Sequence, residues 1–92
     1  MSAYYVGSIH IRDVVQWEIY LSQVGATITQ YGGEVLLRGV SHADAERVPR
    51  IVVLCFADAA AALRWHQSPA YQALIPIRDA AADVRLVLYQ QA

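Results

Sequence analysis

Four polar residues along the chain have side chains that can bind or move charge. Arg38 and Arg78 carry guanidinium groups, which bind a carboxylate or an enolate through two parallel hydrogen bonds. His10 has an imidazole whose ordinary pKa suits a general base near neutral pH. Tyr71 has a hydroxyl that can donate or accept a hydrogen bond. These residues predict a metal-independent reaction, with His10, Arg38 and Tyr71 as the catalytic residues.

Each of these residues also has an ordinary structural explanation. Arg38 can pair with a carboxylate of a neighbouring chain, and Arg78 can form a salt bridge on a helix surface. His10, near the end of a strand, can simply be solvated, and Tyr71 can pack in the core. The residues predicted to bind a ligand are Tyr4, Ser8, Arg38 and Arg78.

The remaining candidates for chemistry are weaker. Ser68 precedes a proline and is best explained as a helix cap. Cys55 has no histidine near it in sequence and is expected to be a buried hydrophobic residue. The three histidines, His10, His42 and His66, lack the close spacing of a zinc or iron site. We therefore expect no metal and no other cofactor.

The composition predicts that the chain associates with itself. Its 92 residues suggest one domain, residues 1–92, and 57% of them are hydrophobic. Soluble domains are typically roughly 45–50% apolar, so the excess must be covered by a membrane or by a partner. The longest apolar run, beginning at Ile51, is far shorter than the ~20 residues of a spanning helix. A homodimer is therefore expected.

Charge and cysteine content indicate which classes of partner and which cellular compartment to expect. The net charge is −1, and no basic patch with interleaved aromatic residues is present, so nucleic acid is not an expected partner. The N-terminal residues lack the features of a signal peptide. A single cysteine fits a reducing compartment, and we expect a cytoplasmic protein without membrane contact.

Periodicity predicts four strands and two helical regions. Residues 3–11 read as a strand, and Asp13 is placed to cap a helix that ends at Gly32 and Gly33. The apolar stripe of this helix consists of Trp17, Leu21, Val24, Ile28 and Tyr31. Residues 34–40 and 50–56 are predicted strands, joined by a loop over residues 41–49.

The second helical region is predicted to be interrupted. Asp58 is its expected cap, Ser68 and Pro69 restart the helix, and Pro76 predicts a kink or an early stop. Residues 83–89 form the last predicted strand. The order is thus βαββαβ, which predicts an α+β, ferredoxin-like subunit: a four-stranded antiparallel sheet with two helices on one face.

Strict alternation along the strands sorts the side chains into two faces. One face is almost wholly apolar and should lie under the helices. The second face combines the apolar side chains of Tyr4, Val6, Leu36, Ile51, Val53, Val87 and Tyr89 with the polar side chains of Ser8, His10, Arg38, Cys55 and Arg85. Monomers rarely expose so large an apolar patch, so a second copy is expected to cover it, sheet against sheet. The polar members would line any cavity that is left.

Two segments resemble a bacterial family catalogued as domain of unknown function 1330. The segments are residues 30–39, with a Tyr-Gly-Gly motif, and residues 65–72, with a Ser-Pro-x-Tyr-Gln motif, followed by Arg78. The resemblance covers roughly residues 3–90 and implies a dimeric α+β barrel. It implies no activity, because the family has none established.

The wider superfamily includes cofactor-independent monooxygenases, a lactone isomerase and haem-dependent enzymes, with a cavity between sheet and helices. By that likeness, His66 is a candidate haem ligand. Members often carry an acidic residue where this chain has Cys55, so any chemistry that needs that carboxylate is in doubt here.

Three functions are therefore open at this point. The first is a metal-independent enzyme that acts on a small anionic or aromatic metabolite in a cavity beside the sheet. The second is a non-catalytic dimeric protein that binds a small molecule. The third is a structural dimer without a ligand.

Overall fold

A computed structural model describes every residue, Met1–Ala92, and contains four strands and four helices. In chain order, the elements are β1 (Ala3–Ile11), α1 (Val14–Gln30), β2 (Glu34–Gly39), β3 (Arg50–Phe56), α2 (Ala59–Gln67), α3 (Pro69–Gln72), α4 (Ile75–Ala81) and β4 (Ala82–Gln90). None of the four helices combines the length and the hydropathy that crossing a membrane requires.

Both ends of α1 form as the sequence predicts. The Asp13 side chain accepts a hydrogen bond from the backbone N–H of Gln16, which satisfies a free donor of the first turn. At the other end Gly32 adopts a φ of 73°, and the Gly33 N–H donates to the carbonyl of Ile28. This is the glycine-terminated C-cap in which a left-handed residue closes the last turn. The buried side chains of α1 are Trp17, Tyr20, Val24, Thr27 and Ile28.

The interrupted helical region consists of three separate helices. Asp58 caps α2, and Ser68 caps α3 by accepting from the backbone N–H of Tyr71. Pro69 is the first residue of α3, as predicted. The early stop predicted at Pro76 is present: α3 ends at Gln72, whose carbonyl Pro76 cannot bond, and a new helix, α4, begins at Ile75 with Pro76 in its first turn.

The four strands form one antiparallel sheet in the order β2-β3-β1-β4. The burial of β1 alternates, with Ala3, Tyr5, Gly7 and Ile9 buried on one side. The helices cover that side. The predicted α+β, ferredoxin-like fold is confirmed.

The register of β2 corrects the assignment of its side chains to faces. Val35 pairs with Leu54, but the next pairs are Leu37 with Val53 and Arg38 with Val52, so one extra residue is inserted between Val35 and Leu37. Such a bulge reverses the alternation for every residue that follows it. Leu37 therefore lies on the open side of the sheet, and Arg38 lies on the side of the helices. The prediction that Arg38 shares a face with His10 was wrong.

The core is densest under α2 and α3. Trp65, Tyr71 and Phe56 are the largest fully buried side chains. The ring of Trp65 lies 4.1 Å from that of Tyr71 and 5.5 Å from those of Phe56 and Tyr5, measured between centroids. The indole N–H of Trp65 donates to the Thr27 hydroxyl at 3.0 Å, which ties α2 to α1.

Candidate small-molecule site

A cleft opens between α1 and the helix-facing side of the sheet. It encloses about 390 Å³, counting the part open to solvent, and eleven of its twelve lining residues are hydrophobic. The lining, apolar with one charged side chain, is typical of sites for small organic molecules. The space free of side chains is only about 30 Å³, so a ligand larger than water must move the lining side chains apart. We call it the α1 cleft; its lining residues are Ile9, Trp17, Tyr20, Leu21, Val24, Ile28, Arg38, Val52, Leu54, Trp65, Val84 and Leu86.

The cleft continues into a second hollow toward the ends of β2 and β3. The two spaces share five lining residues, and the second one adds the polar side chain of Arg50 and the backbone of Gly39. We call this second hollow the mouth. The cleft can open here because β2 is an edge strand whose residues are nearly all exposed.

Arg38 is the one charged residue that lines both spaces. The three ion pairs of the structure involve Arg12, Arg47 and Arg78, so the Arg38 guanidinium has no carboxylate partner. An unpaired cation at the edge of an apolar cleft suits a ligand that carries negative charge.

A hydrogen-bonded chain of three side chains reaches the inner part of the cleft. Tyr20 lines the cleft with part of its side chain, and its hydroxyl lies 3.2 Å from the Tyr71 hydroxyl. Arg78 donates from Nη1 to that same Tyr71 oxygen at 2.9 Å. Arg78 is itself held by Asp79 at 3.0 Å, and its side chain is only 13% exposed. The chain Arg78–Tyr71–Tyr20 thus connects a fixed positive charge with the cleft.

Burial and the neighbouring groups of the Arg78–Tyr71–Tyr20 chain favour the protonated, neutral form of Tyr20. Burial raises the pKa of Tyr20 far above its ordinary value, and Tyr71 raises it further, against smaller lowering effects of Arg78 and Arg38. For Arg78, burial lowers the pKa, but contacts with Tyr71 and Asp79 outweigh that effect and raise it overall. Arg78 is therefore a permanent cation, and Tyr20 keeps its proton.

The donors and acceptors of the Arg78–Tyr71–Tyr20 chain can be assigned one by one. The Tyr71 oxygen accepts from Arg78, and its own hydrogen can be donated to Tyr20. In that orientation the Tyr20 hydrogen has no acceptor among these three side chains. A ligand oxygen that reaches this hydrogen would gain a donor, and a negatively charged group at the edge of the cleft would be stabilised by the Arg38 charge.

His66 lies beside this chain rather than in the cleft. Its ring packs against Tyr5 and Tyr71, with centroids 5.8 Å and 5.5 Å away. Burial lowers the pKa of His66, and the Arg78 charge lowers it further, so the neutral imidazole is favoured. Its suggested role as a haem ligand stays a prediction.

The predicted site residues divide between the two sides of the sheet. Arg38, Tyr71 and Arg78 lie on the helix side and belong to the cleft or to the chain behind it. The other three lie on the open side: Tyr4 pairs with Tyr89 and Cys55, Ser8 with Arg85 and Ile51, and His10 with Asp83. The structure therefore does not bring His10 together with Arg38 and Tyr71 as a catalytic group, because the sheet separates them.

The sequence also predicted purely structural roles for Tyr71, Ser68 and Cys55, and the structure bears on each of them. Tyr71 is fully buried and packs in the core, yet its hydroxyl also joins the polar chain. Ser68 caps α3 as predicted. Cys55 is half-buried and lies on the open side, the face on which strand alternation placed it, and its full burial stays a prediction that depends on a second copy. No three His, Cys, Asp or Glu side chains lie close enough together to hold a metal ion.

Two residues of the site were missed at the level of sequence. Tyr20 lies three residues after Trp17 and four before Val24, so the helical period itself places it on the buried stripe. Arg50 is in phase with Val52 and Leu54 on β3, so simple alternation places it on the helix side. Both signals were present in the spacing.

The chain from residue 2 to residue 92 matches the family model described as Domain of unknown function (DUF1330). The chain belongs to this family. Among the curated proteins, none is similar enough in sequence to match this DUF1330 chain.

Solved structures show the same fold at low sequence identity. A protein of unknown function from Rhodopseudomonas palustris is 17% identical, with a TM-score of 0.79 over 99% of this chain and 82% of that one. A dimeric ferredoxin-like protein of unknown function from Jannaschia sp. CCS1 is 14% identical, with a TM-score of 0.78 over 99% of this chain and 100% of that one. SnoaB, a cofactor-independent oxygenase from Streptomyces nogalater, is 11% identical, with a TM-score of 0.76 over 99% and 93%. At these identities the likeness establishes the fold alone.

Proposed function

We propose that this DUF1330 chain is a metal-independent enzyme that acts on a small aromatic or anionic molecule in the α1 cleft. One observation carries the proposal: the cleft is apolar, Arg38 is its single charged residue, and its lining residue Tyr20 is the last member of the Arg78–Tyr71–Tyr20 chain. Apolar walls with a few convergent polar groups are the usual form of a small-molecule site. The fold shared with a cofactor-independent oxygenase is compatible with chemistry that needs no metal.

The proposed roles follow from charge and hydrogen bonding. Arg38 stabilises the negative charge of a bound phenolate, enolate or carboxylate. Tyr71, held by Arg78, orients the Tyr20 hydroxyl so that it donates to the ligand oxygen. Both effects favour the anion over its conjugate acid, which lowers the pKa of the bound molecule and activates it.

A non-catalytic binding protein is the second candidate, and one observation favours it. None of the twelve residues that line the cleft is a His, Cys, Asp, Glu or Lys. The cleft thus offers no side chain that takes up a proton near neutral pH, which a catalytic base would have to do.

Native mass spectrometry of the protein purified from its own host tests the site. We expect a small molecule to travel with the protein, Arg38→Ala to lose it and Arg64→Ala, an exposed arginine of α2, to keep it. If Arg38→Ala retains the molecule fully, the role of Arg38 is wrong. If neither this experiment nor a screen of aromatic acids finds a ligand, the chain is better explained as a structural protein.

Turnover separates the two candidate functions. The captured molecule is returned to the ligand-free protein in air, and the products are analysed by mass spectrometry. An enzyme converts it, and Tyr20→Phe then lowers kcat more than it raises Kd, because the lost donor acts on charge that develops during reaction. Release of the unchanged molecule, with Tyr20→Phe affecting Kd alone, identifies a binding protein.

We also propose that two copies of the chain pair through the open side of the sheet. Val6 pairs with Val53 on one neighbouring strand and with Val87 on the other, so three valines form a row across the centre of that side. Tyr89 and Ile51 add exposed apolar surface around the row. The related fold from Jannaschia is described as dimeric, which supports the proposal.

Analytical ultracentrifugation tests this pairing. Val87→Arg places a charge in the middle of the open side and should convert a dimer to a monomer with unchanged circular dichroism. Leu63→Arg, on the outer surface of α2, is the matched control and should stay dimeric. A wild-type monomer at micromolar concentration would refute the pairing. Tyr4, Ser8 and His10 lie on this side, so their predicted roles in ligand binding and catalysis would have to be exercised at the interface.

A further inference from the structure

A second arginine lies beside Arg38 on the helix-facing side of the sheet. Arg38 pairs with Val52, while Arg50, two residues earlier on β3, pairs with Ile9. Val52 and Ile9 both face the helices and line the cleft. Arg38 and Arg50 are therefore diagonal neighbours on adjacent antiparallel strands, whose α-carbons lie roughly 7–8 Å apart. Arginine side chains are long enough for both to reach one anion from that distance.

The charges around this pair are unbalanced. Arg50 and Arg38 both line the mouth, and none of its nine lining residues is acidic. Neither arginine forms an ion pair. Glu46 borders a different hollow that Arg50 also touches, but it lies beyond ion-pair distance from Arg50. Two neighbouring cations repel each other, and an anion bound between them removes that repulsion.

We propose that Arg38 and Arg50 together bind the carboxylate of an aromatic acid at the mouth of the α1 cleft. The ring of the acid lies in the mouth beside Trp17 and Leu21, where the free space is about 110 Å³, against about 30 Å³ in the inner cleft. Tyr20 lies farther in, because it lines the inner space and not the mouth. This inference rests on the proposed function and adds to it a ligand class, an orientation and a second binding residue.

The orientation follows from where the structure places polar groups. The charged groups lie at the mouth, where water can solvate them when no ligand is present. Eleven of the twelve residues that line the inner space are hydrophobic, and the exception is Arg38, which also lines the mouth. An aromatic carboxylate matches this order, because its charge stays at the solvent edge while its ring replaces water against apolar side chains.

Two probes with the same ring isolate the contribution of charge. Benzoate and benzamide have the same shape, but only benzoate is anionic at neutral pH. Each is titrated into 15N-labelled protein, and the indole signal of Trp17 and the side-chain Nε–Hε signals of Arg38 and Arg50 are followed by NMR. The wild type, Arg50→Gln, Arg38→Gln and the control Arg64→Gln are compared. Raising the salt concentration weakens only interactions with the charge.

The wild type is expected to bind benzoate roughly 3–10-fold more tightly than benzamide, as a charge pair near the surface would give. Arg50→Gln and Arg38→Gln should each reduce this preference, and Arg64→Gln should leave it unchanged. If Arg50→Gln keeps the full preference, the two-arginine site is wrong.

Different results would overturn the two-arginine carboxylate site and the proposed function of the α1 cleft. If both probes shift the Trp17 indole with equal affinity, the cleft accepts an aromatic ring and the proposed function stands, but the arginine pair does not select a carboxylate. If neither probe shifts the Trp17 indole at millimolar concentration, the cleft does not accept a ring, and the proposed function and this inference fail together.

Discussion

Two regions on the same side of the sheet are packed in opposite ways. Under α2 and α3, Trp65, Phe56 and Tyr71 are buried almost completely. We call this region the closed end. Under α1, next to the edge strand β2, the α1 cleft stays open.

The difference has a simple cause in side-chain size and position. The closed end receives four large aromatic rings from β1, β3, α2 and α3, with neighbouring centroids 4.1–6.4 Å apart. The open region receives the rings of Trp17 and Tyr20 from α1, with Trp65 at its border, and its outermost strand ends in an arginine and a glycine. A protein with one modest core can thus combine a rigid half that provides stability with a less filled half that is available to a ligand.

The largest effect should come from emptying the closed end. Trp65→Ala removes a side chain that is 1% exposed and leaves the Thr27 hydroxyl without its indole partner, which should cost about 3–5 kcal/mol of stability. Leu63→Ala, on the same helix but 43% exposed, should cost less than about 1 kcal/mol. Urea denaturation measures both variants. Equal losses would contradict the distinction between the packed and the exposed faces of α2.

A pair of glycines tests how tightly the closed end is packed. A Cβ on Gly33 would lie 2.5 Å from the Phe56 ring and 2.8 Å from Ile28, so Gly33→Ala should cost about 1–3 kcal/mol. A Cβ on Gly25, in the middle of α1, meets nothing within 4 Å, and Gly25→Ala should instead stabilise the protein by about 0.5–1 kcal/mol. Thermal unfolding measures whether each variant is more or less stable than the wild type. If Gly33→Ala is more stable, the Phe56 ring has room to move away from the added methyl group.

The polar chain connects the two regions, and removing its central hydroxyl should have an intermediate effect. Tyr71→Phe leaves Tyr20 and Arg78 without a shared partner and should cost about 1–3 kcal/mol. Tyr31→Phe, at the end of α1, removes a hydroxyl that forms no side-chain hydrogen bond and should be neutral. Chemical denaturation compares the two variants. If Tyr71→Phe leaves the free energy of unfolding unchanged, water replaces the missing hydroxyl. The hydrogen bonds of Arg78 and Tyr71 would then not orient Tyr20.

The smallest effect is a pH dependence at the rim of the closed end. Because burial lowers the pKa of His66 in the folded state, the unfolded chain takes up a proton first as the pH falls below the ordinary histidine value of 6.5. The contribution of His66 to stability is therefore complete above that value and is lost as the pH falls toward its folded-state pKa. His66→Gln should flatten the decline in the free energy of unfolding between about pH 7.5 and about pH 5. His42→Gln, in the exposed loop between β2 and β3, should not, and an unchanged slope in His66→Gln would show that the imidazole is well solvated.

Local patterns in the sequence were sufficient for the elements and their order. Asp13, Asp58 and Ser68 are caps in the structure because a short acceptor side chain before a helix satisfies a free N–H, whatever the rest of the chain does. Gly32 ends α1 because it takes a positive φ without steric cost. The apolar alternation of β1 and β3 placed their side chains correctly. From the resulting order, the topology rules led to the ferredoxin-like fold.

The candidate site depended on contacts between distant residues. Tyr71 and Arg78 were identified, but their connection to Tyr20 spans 51 residues and exists only once α1, α3 and α4 are packed together. Arg38 was identified for its chemistry and placed on the wrong side of the sheet, because alternation carries no sign of a bulge in pairing with another strand.

The sequence by itself therefore determined the elements, the fold and the kinds of side chain available for chemistry, since each rests on spacing within one segment. Only the tertiary structure decided which of these side chains meet. The extra residue between Val35 and Leu37 turns Arg38 from the open side of the sheet to the helix side and so moves the candidate site from the predicted interface to the α1 cleft. The physical reason is that side chains alternate with a period of two residues, so a shift of one residue in pairing reverses the face of everything that follows.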